Sequence, residues 1–213
     1  MPPPRMRQNS EPRREIDEIE SVEWESTIRT NFSVTQNQLV HAYGLAGIVY
    51  FPQGATAGLD PRSADFLSLV GLPHSEAFAS REDVEDPYPS GFNAVTLGSR
   101  FDHYGMPCLA ESRSWWMLGY LFTSLIALSP ASGTVYACPE GSSGYIPLHR
   151  DVESLVYTLV EFRKLEIDHD NGVDPEDLSA RFKETVGAFD PTPFADENSQ
   201  WNLSLEELEH GIW

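Results

Sequence analysis

Between Trp116 and Leu165 the chain carries four short apolar segments separated by turn residues, and then its strongest helical pattern. "WMLGYL", "SLIALS" and "TVYACP" read as three successive strands, and the linker "PASG" between the last two suits a hairpin. "EGSSG" is a second turn, and "YIPL" after it a fourth strand. Pro147 has no N–H to give to a ladder, so this last strand belongs on a sheet edge. "HRDVESLVYTLVEFRKLEI" then begins at an Asp151 cap and spaces Val152, Leu155, Val156, Leu159 and Phe162 at three and four. Strands joined by tight turns pair antiparallel, and a helix with one apolar face must bury it on them.

The flanking sequence is read in the same way. "SVTQNQLVHAYG" has Ser33 as a helix cap, Gln36 completing a capping box and Gly44 ending the helix. "IVYF" is a buried strand stopped by Pro52. "LDPRSADFLSLVGLP" is a helix capped by Asp60 with Pro61 in its first turn; Phe66, Leu67 and Val70 form one face, and Gly71 and Pro73 terminate it. Leu72, just beyond that end, is expected to fold back on the last turn, and the Gly71-Leu72-Pro73 terminator to hold the adjoining sheet edge and loops in register. In residues 74–114, "EDVEDPYPSG" is a loop, and "NAVTLG" and "SRFDHYG" alternate as strands do. After the long helix, "DPEDLSARFKETVG" is a helix capped by Asp174 and closed by Gly187. "SQWNLSLEELEHG" puts Trp201, Leu205 and Leu208 on one face and ends at Gly211.

Helices, then strands, then helices give an α+β class: a mixed or antiparallel sheet of about five or six strands, flanked by N- and C-terminal helices. Residues 1–30 read as a poorly packed tail with a short acidic helix over 15–29, and residues 31–213 as the folded domain. "WWMLGYLFTSLIAL" contains Gly119, Thr123 and Ser124 and is too short to cross a bilayer, and the N-terminus has no apolar run of the secretory kind.

Charge narrows the partners. The chain holds 33 acidic and 14 basic residues, a formal charge of −19, and its last 63 residues hold 16 acids against 4 bases. Such a surface repels nucleic acid and anionic membrane and favours basic partners, although acidity also serves solubility. Cys108 and Cys138 are the only cysteines; two thiols make no disulfide framework and suit a reducing, cytoplasmic compartment.

Reactive constellations are sparse. Asp102 and His103 beside Cys108 invite a hydrolase, but neighbours on a strand face opposite ways, so Asp102 is badly placed to orient His103. "DHDNGVDPED" fails the calcium-loop register: its glycine is at position five, and position twelve is Ser179. "GSSG" lacks the lysine of a phosphate loop. Trp115 and Trp116, without interleaved cations, read as one core and one exposed or interface side chain. No catalytic residue, metal or cofactor is expected.

The order of motifs resembles the fourth subgroup of the SUKH superfamily of bacterial immunity proteins. "YGLAGIVYFPQG", "DPRSADFLSLVGLP" with its Gly-Leu-Pro ending, "TVYACPEGSSGYIPLHRDVESLVYTLVEFRKL" and "FDPTPFADENSQWNLSLEELEHGIW" carry the likeness. It departs where "HRDVES" enters the long helix, and residues 74–114 add nothing to it. The resemblance implies an α+β fold and a non-enzymatic protein that binds and blocks a polymorphic toxin, often a nuclease or deaminase. An intracellular adaptor of the same fold is the alternative, and a hydrolase using His103 or Cys108 a more distant one. The expected contact residues are Glu82, Asp83, Glu85, Asp86 and Tyr88, an acidic loop with an aromatic anchor; Gly71, Leu72, Pro73, Trp201 and Gly211 are expected to be structural.

Overall fold

The computed structural model describes residues 31–51, 56, 58–80, 95–139 and 144–212. The tail, the acidic segment 81–94 and most of "EGSSG" lie outside them. The chain runs α1 (Gln36–Tyr43), β1 (Ile48–Val49), α2 (Pro61–Leu69), β2 (Leu72–Pro73), β3 (Phe78–Ser80) and α3 (Leu97–His103), then β4 (Trp116–Leu121), β5 (Ser124–Leu128), β6 (Val135–Cys138) and β7 (Ile146–His149). It closes with α4 (Val152–Asp170), α5 (Pro175–Phe189) and α6 (Gln200–Glu209). Strands β3 to β7 form a five-stranded sheet in sequence order, every pair antiparallel, and β1 and β2 pair separately. Pro147 sits in β7, an edge strand, where its missing N–H breaks no ladder.

Strand periodicity sends alternate residues into two apolar clusters. Trp116, Leu118, Ile126, Leu128, Val135 and Ala137 enter the main core with α1, α2, α4, α5 and α6. Trp115, Met117, Leu125, Ala127, Tyr136 and Cys138 face the other way, toward Leu97 and Phe101 of α3. Trp115 and Trp116 are therefore both buried, on opposite faces, and neither is the exposed member expected from the pair. β4 bends at Gly119, where the pairing shifts register. Its φ of 153° and the approach of Ser80 Cα, 2.9 Å from where a Cβ would stand, leave space only for glycine.

Asp60, Asp151, Asp174 and Ser199 cap α2, α4, α5 and α6 through side-chain acceptors. Three local expectations need correction here. The capping box of α1 is Thr35 with Gln38, two residues after the Ser33–Gln36 pair, because the Ser33 N–H is engaged by the Glu153 carboxylate. Gly187 lies inside α5, which runs on to an Asp190 cap. Residues 97–103 are a helix, not strands. Thr96 and Ser99 form a reciprocal box that starts it, and Leu97 and Phe101, one turn apart, both pack on the sheet. β3 takes the edge place beside β4 instead.

The Gly-Leu-Pro terminator has a definite geometry. Gly71 has φ +85°, and its N–H bonds Phe66 O at 3.1 Å. A Cβ there would stand 2.8 Å from Val49 O and 2.9 Å from Ile48 Cγ2. Leu72 enters β2 opposite Val49, fully buried in the core that also holds Phe66, Leu67 and Val70, and Pro73 pairs with Ile48. Trp201 is fully buried at the centre of an aromatic group with Phe162 and Phe182, ring centroids 5.4 and 5.8 Å away. Gly211 ends α6 at φ +66°.

Candidate partner-binding surface

Three residue types associated with nucleophilic catalysis do meet, in the core. His149 ends β7, Ser154 sits in the first turn of α4 and Asp190 caps α5; all are at most 1% exposed. The hydrogen bonds run in one direction. An indole N–H can only donate, so Trp201 Nε1–H donates to His149 Nε2 at 2.9 Å. His149 therefore carries its proton on Nδ1 and donates to Ser154 Oγ at 3.1 Å. Ser154 Oγ–H donates to Asp190 Oδ2 at 2.5 Å. The backbone N–H of Arg150, at 2.9 Å, and of Thr192, at 3.0 Å, complete the carboxylate's partners.

That order defeats catalysis. The basic nitrogen of His149 is occupied by Trp201, the serine proton points at aspartate, and no substrate reaches the set. Burial lowers the His149 pKa to about 3, opposed by the Asp190 charge. Burial alone would raise the Asp190 pKa, but hydrogen bonds from Ser154, Arg150 and Thr192 outweigh it and hold the carboxyl below its ordinary value. The network ties β7, α4, α5 and α6 together with every proton assigned.

Around Cys108 the parts of a hydrolase are not assembled. Asp102 forms an ion pair with Arg113, and the His103 ring lies edge-on to Tyr104 at 5.0 Å. The polar contacts of Cys108 Sγ are Leu109 O at 3.7 Å and Ser112 Oγ at 3.8 Å. Burial, with the neighbouring Cys108, raises Cys138 to about 11, which keeps it a thiol at neutral pH. In "DHDNGVDPED", Asp168 lies inside α4 and pairs with Arg181, while Asp174 caps α5. Among the described residues, no group of three or more His, Cys, Asp or Glu could hold a metal ion. Nor is any helix among them long and apolar enough to cross a membrane.

A concave feature opens on the α3 face of the sheet. A groove of about 440 Å³ lies between α3, the segment after it and the strand face. Buried Leu97 and Leu125 form its base, while Tyr104, Met106 and Leu109 stand 50%, 54% and 43% exposed at its rim. Tyr145 lines it too and meets Trp115 edge-on, with ring centroids 4.5 Å apart, while Trp115 stacks on Tyr136 at 4.1 Å. The charges nearby are spent within the chain. Arg100 lies over the Tyr104 ring at 4.7 Å and reaches Tyr120 Oη at 3.4 Å, and Tyr145 Oη donates to Glu111 at 2.7 Å.

Comparison with family models matches residues 34–207 to the SUKH-4 immunity protein family. The chain belongs to that family. No curated protein and no solved structure gives a significant match. In this SUKH-4 chain the matched span includes α1, α2, α4, α5, most of α6 and the buried His149–Asp190 network. Gly71, Leu72, Pro73 and Trp201 lie within it as parts of that core and its β1–β2 corner, and Gly211 lies just beyond it. Glu82, Asp83, Glu85, Asp86 and Tyr88 fall outside the described residues. Sequence reading missed the groove, because Leu97, Met106, Leu125 and Tyr145 meet only through the sheet register. One local signal was present: "YGMPCLA" is unusually apolar for a segment between regular elements.

Proposed function

We propose that this chain binds and neutralises the toxin domain of a bacterial polymorphic-toxin system, a nuclease or deaminase, by non-catalytic contact in the cytoplasm. Membership of an immunity family carries the reading. The core network, wired against catalysis, and the unassembled surroundings of Cys108 support it. Charge supports the class of partner. A domain that handles nucleic acid needs a basic surface, and a chain of formal charge −19 complements one. Glu82, Asp83, Glu85 and Asp86 steer that basic domain in, and Tyr88 supplies an aromatic contact. The segment that holds them joins Ser80, at the end of β3, to Val95, whose carbonyl accepts from Met117 N–H at 2.9 Å.

The test is protection. Cells expressing the toxin domain encoded beside this gene should survive when the chain is co-expressed. His103→Ala should protect as well as the wild type, since its side chain belongs to no reactive set. A variant that loses protection while melting at the wild-type temperature would contradict the non-catalytic reading.

A further inference from the structure

The groove on the α3 face differs in charge from the rest of the molecule. Residues 95–139, which supply most of its lining, contain two arginines and two acids, whereas the whole chain carries −19. Those four charges already have partners: Asp102 with Arg113, Glu111 with Tyr145, and Arg100 with the Tyr104 ring and Tyr120. A cationic group of a basic partner entering here would lose water and meet no carboxylate among the described lining residues, which is costly. An uncharged apolar side chain loses nothing comparable and gains burial against Leu97 and Leu125. The exposed rim of Tyr104, Met106 and Leu109 has the aromatic and methionine-rich character of interface centres.

From this contrast we infer that the groove is the anchor socket of the toxin interface, taking one large apolar side chain, aromatic or long aliphatic, from the surface of the basic toxin domain. The inference rests on the toxin-binding reading and divides the work within it. The acidic surface sets how fast the partner arrives, and the groove sets how long it stays. The groove's volume, about 440 Å³, is ample for a single large side chain with its flanking backbone.

The experiment measures association and dissociation of the purified toxin domain encoded beside this gene, on the wild-type chain and on four single variants. Met106→Glu and Leu109→Glu place a charge at the groove rim. Ile167→Glu and Leu203→Glu place the same charge at similarly exposed positions on α4 and α6. All four sites are more than a third exposed, and a thermal melt of each variant verifies that it folds. The expected result is that each groove variant dissociates at least tenfold faster with no slower association, while the two helix variants keep the wild-type rates. Wild-type dissociation from the groove variants, or equal loss from the helix variants, would overturn the socket and leave the toxin-binding reading standing. A wild-type chain that self-associates through the groove, with Met106→Glu restoring the monomer, would assign the groove to a second copy and overturn it too. No binding by the wild-type chain would remove both readings.

Discussion

Acid should weaken this protein through one buried imidazole. His149 is neutral in the fold, its Nε2 occupied by Trp201 and its Nδ1–H bonded to Ser154, and burial brings its pKa down to about 3. In the unfolded chain the same group takes up a proton near its ordinary value, about 6.5. The unfolded state therefore binds more protons throughout the interval between those values, and linkage makes stability fall as the pH falls. The contribution is fully present above about pH 6.5 and is lost progressively down to about pH 3. Between pH 7 and pH 5 the difference in proton uptake amounts to about 2 kcal/mol. Asp190, also held below its ordinary value, adds its loss only below about pH 4, outside that window. Urea melts of the wild type and His149→Gln at pH 7 and pH 5 isolate the effect. The variant should be less stable at pH 7, because the Trp201 and Ser154 partners are disturbed, but its stability should fall by about 2 kcal/mol less on going to pH 5. Equal pH dependence in the two proteins would mean that His149 is not buried neutral, and the one-directional network would be wrong.

Gly71→Val should destabilise the fold by about 2–4 kcal/mol in a chemical melt, since the left-handed backbone and the collision with Val49 O and Ile48 Cγ2 act together. Gly211→Ala, with positive φ but no atom within 4 Å of the new Cβ, should cost only about 1 kcal/mol; equal costs would show that the β1–β2 corner is not tightly packed. Neutralising Glu82, Asp83, Glu85 and Asp86 together should slow association with the toxin domain more than it speeds dissociation, and should flatten the fall in on-rate as salt rises. A salt-insensitive on-rate in the wild type would assign the acidity to solubility instead.

The elements legible in the sequence are those whose signals are local. Asp60-Pro61, Asp151, Asp174-Pro175 and Ser199 each mark a helix start with a side-chain acceptor that needs only the next three residues. The hairpin strands were legible because alternation and turn residues repeat over short distances. α3 was misread because "NAVTLG" and "SRFDHYG" mix polar and apolar residues as strands do, and the reciprocal Thr96–Ser99 box that starts the helix falls across the two. Gly187 misled for a related reason: glycine can end a helix, but here the chain continues because Asp190 supplies the cap. The core network and the groove are non-local. The core network joins His149, Ser154, Asp190 and Trp201 across four elements, and the groove assembles from α3, the following segment and the sheet. Neither has a spacing in the sequence, because each depends on how the sheet and helices stack.

The most direct measurement of the central claim is the stoichiometry of inhibition. The activity of a fixed amount of toxin domain is followed while the purified chain is added. A binder that works by contact abolishes activity in proportion to its amount, with the endpoint at one chain per toxin domain and no further loss on longer incubation. Complete inactivation by a small fraction of an equivalent, progressing with time, would mean that the chain turns over, and would contradict the account.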